Sequence, residues 1–292
     1  MKVQISSKYK MNWLSGYRDV FERAGWSVEI TTQPIYKNGV DLYILMWLDA
    51  ETMDFINIYK GCKKMLFIRR YEFYSHNIEN TDFDSVNKVV VLNEYFYEMV
   101  KARANVIAKI IYNGVVLSNW TYRQRAPGPK IAMIGYINQR KNLSMALQIL
   151  FCLPENYTLH IAGGLQNVET DTYLYNLARE SGLTDRVKLY GNVDDIDSWL
   201  EDKDYLLNTS ISEGCPNSVI EAMAKGIKPL VHNWPGASVL FSDYVFNTVG
   251  GAANMILKGD YNSEHYRKDA ETRFGPEQYN KILYLAKEIV DA

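Results

Sequence analysis

Ser210-Ile-Ser-Glu-Gly-Cys-Pro-Asn-Ser-Val-Ile-Glu-Ala-Met-Ala-Lys-Gly-Ile-Lys-Pro-Leu-Val-His-Asn-Trp-Pro-Gly236 reads as loop, helix, strand and second loop. Pro216 suits the first turn of a helix, where its missing N–H costs nothing and its φ is already helical. Val219, Ile220, Ala222, Met223 and Ala224 are apolar enough to bury the helix, and Gly226 is a natural closing residue after it. Pro229, Leu230 and Val231 open a short strand. A buried helix feeding directly into an apolar strand is the unit from which layered α/β proteins are built.

The polar residues of this stretch gather at the start of the helix. Glu213 and Gly214 precede it, and Asn217 and Ser218 occupy its first turn. The first N–H groups of a helix lack internal partners and carry partial positive charge, so the end suits an anion such as phosphate. Gly214 lets backbone approach a ligand with no Cβ in the way. Glu221, one turn beyond Ser218, would accept hydrogen bonds from ribose hydroxyls. Glu213 would do the same for a sugar beyond the phosphates. The bland alternative makes Glu213 a helix cap and Glu221 a solvated helix residue.

Glu213-Gly-Cys-Pro-Asn-Ser-Val-Ile-Glu221, with Glu-Ala-Met-Ala and Gly-x-x-Pro after it, resembles the Glu-x7-Glu segment of retaining glycosyltransferases of family 4. That resemblance implies the GT-B fold: two Rossmann-like domains with parallel sheets facing a cleft. It also implies a nucleotide-diphosphate sugar as donor, no bound cofactor and no chelated metal. Glu213 and Lys141 become the candidate catalytic pair, and Gly214, Cys215, Pro216, Asn217, Ser218 and Glu221 candidate donor contacts. Cys215 has no base beside it in the sequence and reads as packing, not as a nucleophile.

The rest of the chain alternates strand and helix patterns. In the first half, strands are expected at Val3 to Ser6, Ser27 to Thr31, Asp41 to Trp47, Met65 to Ile68, Lys88 to Leu92 and Val106 to Ile111. Helices are expected at Trp13 to Arg23 and Glu94 to Arg103. Residues 119–129 end in Ala-Pro-Gly-Pro and read as a linker between a short first domain, 1–118, and a donor-side domain, 130–275. There, strands are expected at Lys130 to Ile134, Tyr157 to Ala162, Val187 to Tyr190 and Tyr205 to Asn208. Helices fall at Leu143 to Phe151, Thr172 to Ser181 and Ile196 to Leu200. Residues 276–292 form an amphipathic helix that the resemblance places back on the first domain.

Gly135, after the first strand of the second half, precedes Tyr136, Asn138, Arg140 and Lys141. In the family this loop carries an Arg directly after the Gly and a Lys five residues later, both on the diphosphate. Lys141 matches the Lys; Tyr136 stands where the Arg is expected. Arg140 is a candidate to compensate, although adjacent side chains at a helix start are expected to diverge. Gly163 and Gly164 close a strand, either as a plain tight turn or as the loop beside the nucleotide. Asn192 and Val193 resemble the loop lining the base. Asp194 or Asp195 is expected to cap the helix at Ile196, a reading preferred over metal binding. Trp234-Pro-Gly-Ala237 matches the family's next glycine-rich loop, with Val239 where an acid often stands.

The first half carries weaker signals. Gly16 lies where the family has a glycine-rich loop beside the transferred sugar. Asn113-Gly114-Val115 resembles the run before the family's linker. Arg69 and Arg70 stand near the place of a family His, and His76 is the other candidate there. The two arginines read either as anion ligands or as a solvated pair bonded to Glu72.

Composition excludes several classes. A net charge of −2 over 292 residues argues against a nucleic-acid partner. Three widely spaced cysteines, Cys62, Cys152 and Cys215, suggest neither a disulfide framework nor a thiolate metal site. The 22 tyrosines are read as packing residues before carbohydrate contacts. No signal-peptide run opens the chain and no stretch is long enough to span a bilayer, so a cytoplasmic location is expected, with peripheral membrane contact left open. An NAD-dependent oxidoreductase lacks its Gly-x-Gly-x-x-Gly after a strand. The expected partners are a nucleotide-sugar donor and a glycan, glycolipid or other hydroxyl acceptor. The competing reading is a nucleotide-sugar-binding module, or partner subunit, without transfer.

Overall fold

The computed structural model describes residues 1–8 and 14–292. The chain divides into two compact units, Met1–Val115 with Phe274–Ala292, and Val116–Arg273. Each holds one six-stranded sheet whose strands pair in parallel.

The first unit runs β1 (Lys2–Ser6), α1 (Leu14–Arg23), β2 (Ser27–Thr31), β3 (Leu42–Leu45), α2 (Ala50–Ile58), β4 (Lys64–Ile68), β5 (Lys88–Val91), α3 (Glu94–Ala104) and β6 (Lys109–Ile110). The strand order is β2-β1-β3-β4-β5-β6. Strands β3 and β4 are buried along their whole length, as expected where helices cover both faces of a parallel sheet. Trp13, the expected start of the first helix, lies outside the described residues. The expected third and sixth strands shorten at both ends. Helix α2 was not expected; Asp49 caps it, its carboxylate accepting from Thr52 N at 2.9 Å.

The second unit runs β7 (Lys130–Ile134), α4 (Leu143–Phe151), β8 (Thr158–Ala162), α5 (Val168–Glu180), β9 (Val187–Leu189), α6 (Ile196–Trp199), β10 (Tyr205–Asn208), α7 (Asn217–Ala224), β11 (Lys228–His232), α8 (Ala237–Phe241), β12 (Val245–Phe246) and α9 (Val249–Leu257). Helix α10 (Ser263–Phe274) reaches the boundary, and α11 (Glu277–Asp291) belongs to the first unit. The strand order is β12-β11-β10-β7-β8-β9. Ile131, Leu147, Leu150, Leu159, Leu207 and Leu230 join one buried cluster between sheet and helices.

Residues 119–129, expected as a linker, are instead built into the second unit. Arg125 is buried, and its guanidinium donates to the carbonyls of Lys225, Glu201 and Lys203 at 2.9 to 3.1 Å. Asp197 accepts from Thr121 N at 2.9 Å and also meets Lys225. A Cβ on Gly128 would lie 2.4 Å from Asp204 Oδ2, whose carboxylate also takes the Lys130 N–H. Proline and glycine mark irregular backbone here, but side-chain hydrogen bonds tie it down.

Helix α11 docks through Tyr279, whose hydroxyl donates to Gly114 O at 2.7 Å and whose ring meets Tyr17 edge-on. A Cβ on Gly16 or Gly114 would come within 2.7 Å of that ring. Gly16 is therefore a packing residue under Tyr279, correcting its reading as part of a sugar loop.

Candidate active site

In open parallel sheets, ligands collect at the carboxyl ends of strands where the strand order reverses. In the second unit that point lies between β7 and its neighbours β8 and β10. The loop after β7 runs from Gly135 to Asn142, and the loop after β10 from Thr209 to Pro216. Glu213 and Lys141 sit on these two loops.

A short 3-10 turn, Gln139–Lys141, shapes the first loop. Asn138 opens it, its carboxamide oxygen accepting from Lys141 N at 3.1 Å. Asn142 closes it in the left-handed conformation, φ 49°. The two loops are laced together: Ile211 N donates to Arg140 O at 3.0 Å and Thr209 Oγ1 to Lys141 O at 2.7 Å. In this tight frame the side chains of Arg140 and Lys141 converge, against the expectation that neighbours diverge. Arg140 Nη1 lies 2.5 Å and Lys141 Nζ 2.8 Å from the same oxygen, Glu213 Oε1. Ser210 Oγ donates to that oxygen too, at 2.8 Å. All three donors meet Oε1, so none of them occupies Oε2.

Glu213 is 12% exposed and Lys141 10%, against 26% for Arg140. Burial pushes the Glu213 carboxyl up. The charges of Lys141 and Arg140, with hydrogen bonds from Lys141 and Ser210, outweigh that and hold it at about 2. The group is a permanent carboxylate at neutral pH.

Pro216 is the N-cap of α7, extended at ψ 113°, and not its first helical residue. No side chain caps this helix. Gly214, Cys215 and Pro216 are buried, so they present mainly backbone, while Asn217 and Ser218 are half-buried. The Asn217 carboxamide oxygen is buried without a hydrogen-bond partner among the described residues. Glu221 is half-buried, and burial alone pushes its carboxyl up to about 7. No charged partner offsets that cost, which leaves this carboxyl open to ligand hydroxyls.

The glycine loops close around Gly135. Gly163 N donates to Gly191 O at 2.7 Å, and a Cβ on Gly163 would lie 2.0 Å from Gly135 O. Gly163 also has φ 149°, where a side chain is strained. Gly163→Ala is expected to lower stability by about 2 kcal/mol or more, read from denaturant midpoints. Unchanged midpoints would show that the Gly135 backbone yields freely. A Cβ on Gly135 would meet Lys141 Cε at 2.8 Å, so this glycine makes room for the lysine. Gly164 lies beside Asn192, whose Oδ1 would be 3.2 Å from an added Cβ. Val193 is half-buried in the same loop. Asn138 also donates to Gln166 Oε1 at 2.8 Å, so its visible work is to shape the turn. Tyr136 is 56% exposed and has no visible part in the charge cluster. Asp195 caps α6 through Ser198 N at 3.0 Å.

In the first unit Arg69 is a core residue. Its guanidinium lies over the rings of Trp47 and Phe67, and it donates to Met46 O at 3.0 Å and to Asn113 Oδ1 at 3.2 Å. This corrects the reading of Arg69 as half of a solvated pair. Arg70 is half-buried over the Tyr74 ring, and His76 is exposed. Glu72 accepts instead from Leu48 N at 2.9 Å, and burial raises its pKa. Sequence reasoning missed Thr209 and Ser210 as site residues. Ser210 stands three positions before Glu213 in one loop, which was the available signal.

Comparison with known proteins bears on this arrangement. Residues 121–265 match the family model for glycosyl transferases group 1. The capsular polysaccharide biosynthesis glycosyltransferase CapH of Staphylococcus aureus is 28% identical over 117 residues, 39% of this chain and 33% of that protein. The match thus spans a third of that relative's length. Among solved structures, HepE of Anabaena in complex with UDP and glucose aligns with TM-score 0.77 and 16% identity over 99% of each chain. Sucrose-phosphate synthase of Thermosynechococcus elongatus aligns with TM-score 0.81 and 13% identity over 99% of this chain and 98% of its own. The two parallel six-stranded sheets are those of the GT-B fold. Residues 121–265, nearly the whole second unit, are those of the glycosyl transferases group 1 family.

Proposed function

We propose that the chain is a glycosyltransferase that moves a sugar from a nucleotide-diphosphate sugar to a hydroxyl acceptor, a glycan or glycolipid, with retention at the anomeric carbon and without a metal ion. The observation that carries this reading is the clasp of Lys141 and Arg140 on Glu213, where β7 and β10 end beside the uncapped start of α7. When the nucleotide diphosphate departs, negative charge develops on its phosphates. Lys141 and the helix start are positioned for that charge, so they would stabilise the transition state more than the bound donor. Glu213, through the oxygen its partners leave open, would orient the sugar hydroxyls. Glu221 would hold the ribose. The acceptor would then attack from the leaving-group side, with the phosphate taking its proton.

UDP is bound in the HepE structure, which makes UDP-sugars the first donors to try. Thermal unfolding against UDP-, GDP- and other nucleotide sugars is expected to raise the melting temperature for one base, because a ligand of the native state alone stabilises it. The donor so identified is then offered with candidate acceptors. No shift with any nucleotide would sink the proposal. A shift without turnover favours the second reading, a binding module without transfer, which the exposed Tyr136 in place of a cation supports.

A further inference from the structure

Arg140 carries more positive charge into the cluster than folding needs. Lys141 by itself would neutralise Glu213, yet both cations meet the one oxygen Oε1. The three groups sum to one net positive charge, and like charges so close repel. Arg140 is also the more exposed of the two cations, at 26% against 10%. Nη1 makes both of its hydrogen bonds, to Glu213 Oε1 and to Ser212 O at 3.4 Å. Its Nε and Nη2 groups make none among the described residues. An arginine held at one end, with a donor pair still open, is suited to the paired oxygens of a phosphate. Its backbone is fixed by the bond from Ile211, so the guanidinium needs no large movement to serve both carboxylate and ligand.

We infer that Arg140 is a diphosphate-binding residue, supplying from four positions further along the loop the second cation that Tyr136 lacks. This inference rests on the donor reading above. It goes beyond it by assigning a residue to the distal phosphate of the nucleotide.

The test is calorimetric titration of the full chain with UDP, UMP, GDP and GMP. Wild type is expected to prefer the diphosphate of one base. Arg140→Gln is expected to lower diphosphate affinity about tenfold or more while monophosphate affinity changes little. A purely structural role would weaken both alike. Tyr136→Arg added to R140Q is expected to recover much of the preference. If R140Q does not fold, Arg140→Lys takes its place. It keeps the ion pair but loses the planar fork, and a severalfold lower diphosphate-to-monophosphate ratio is expected. Wild-type affinity for none of the four nucleotides overturns the donor reading, and this inference with it. A clear wild-type diphosphate preference that survives unchanged in the Arg140 variants overturns this inference alone.

Discussion

Lys141→Ala is expected to cut kcat/KM for sugar transfer by about 100- to 1,000-fold, most of it in kcat. The lysine is nearly buried, its ammonium is fixed by Glu213, and its backbone carbonyl takes the Thr209 hydroxyl. A charge so held needs little reorganisation when the leaving group forms. The same substitution acts on acid stability through Glu213. That carboxyl is held at about 2 against an ordinary value of 4.5. A depressed carboxylate contributes stability that is full above the unfolded value and is lost as pH falls toward the folded one. Its contribution, about 3 kcal/mol, is therefore present above roughly pH 5 and fades as pH falls toward 2. Removing Lys141 leaves Arg140 and Ser210 to hold the carboxylate, so acid unfolding should begin at higher pH. Initial rates with the donor found by thermal shift, and acid titration followed by circular dichroism, read the two effects separately. Undiminished transfer by the variant would remove Lys141 from the chemistry.

Glu221→Gln is expected to separate stability from binding. Burial raises this carboxyl to about 7, with no partner to relieve it. A raised acid costs stability as pH rises from its unfolded value of about 4.5, and the full cost is reached above its folded value. The amide removes that cost. The variant should therefore be more stable than wild type at pH 8, by about 2 kcal/mol after allowance for the half-exposed site, and no more stable at pH 4. Nucleotide affinity should fall about tenfold or more at pH 8, because a neutral amide replaces the anionic acceptor for ribose hydroxyls. In the wild type, affinity should climb from pH 6 to pH 8 as the carboxyl ionises. Melting temperatures at the two pH values, with titrations across that range, measure both. A pH-independent affinity, or a variant destabilised at pH 8, would contradict this account of Glu221.

The stretch from Ser210 to Gly236 carried much of its fold openly. Val219, Ile220, Ala222, Met223 and Ala224 are buried on α7, and Leu230 and Val231 lie in β11. Such elements are legible because burial imposes a period on the residues themselves. Helices α9 and α10 were not legible. Two glycines stand in α9, and α10 is mostly charged and polar outside Tyr266, Ala270 and Phe274, which are buried. Their helicity comes from what they pack against.

The sequence by itself determined that the chain alternates strand and helix, and which acid and which lysine lie on the loops after β10 and β7. Local pattern and motif spacing suffice for that, since both are written along the chain. Only the tertiary structure decided that Arg140 joins Lys141 on one oxygen of Glu213, that Arg125 is buried in a supposed linker, and that Gly16 makes room for Tyr279. Each of these depends on residues between 73 and 263 positions away, and on the direction of a side chain. That direction is set by packing and hydrogen bonds that no run of neighbouring residues specifies.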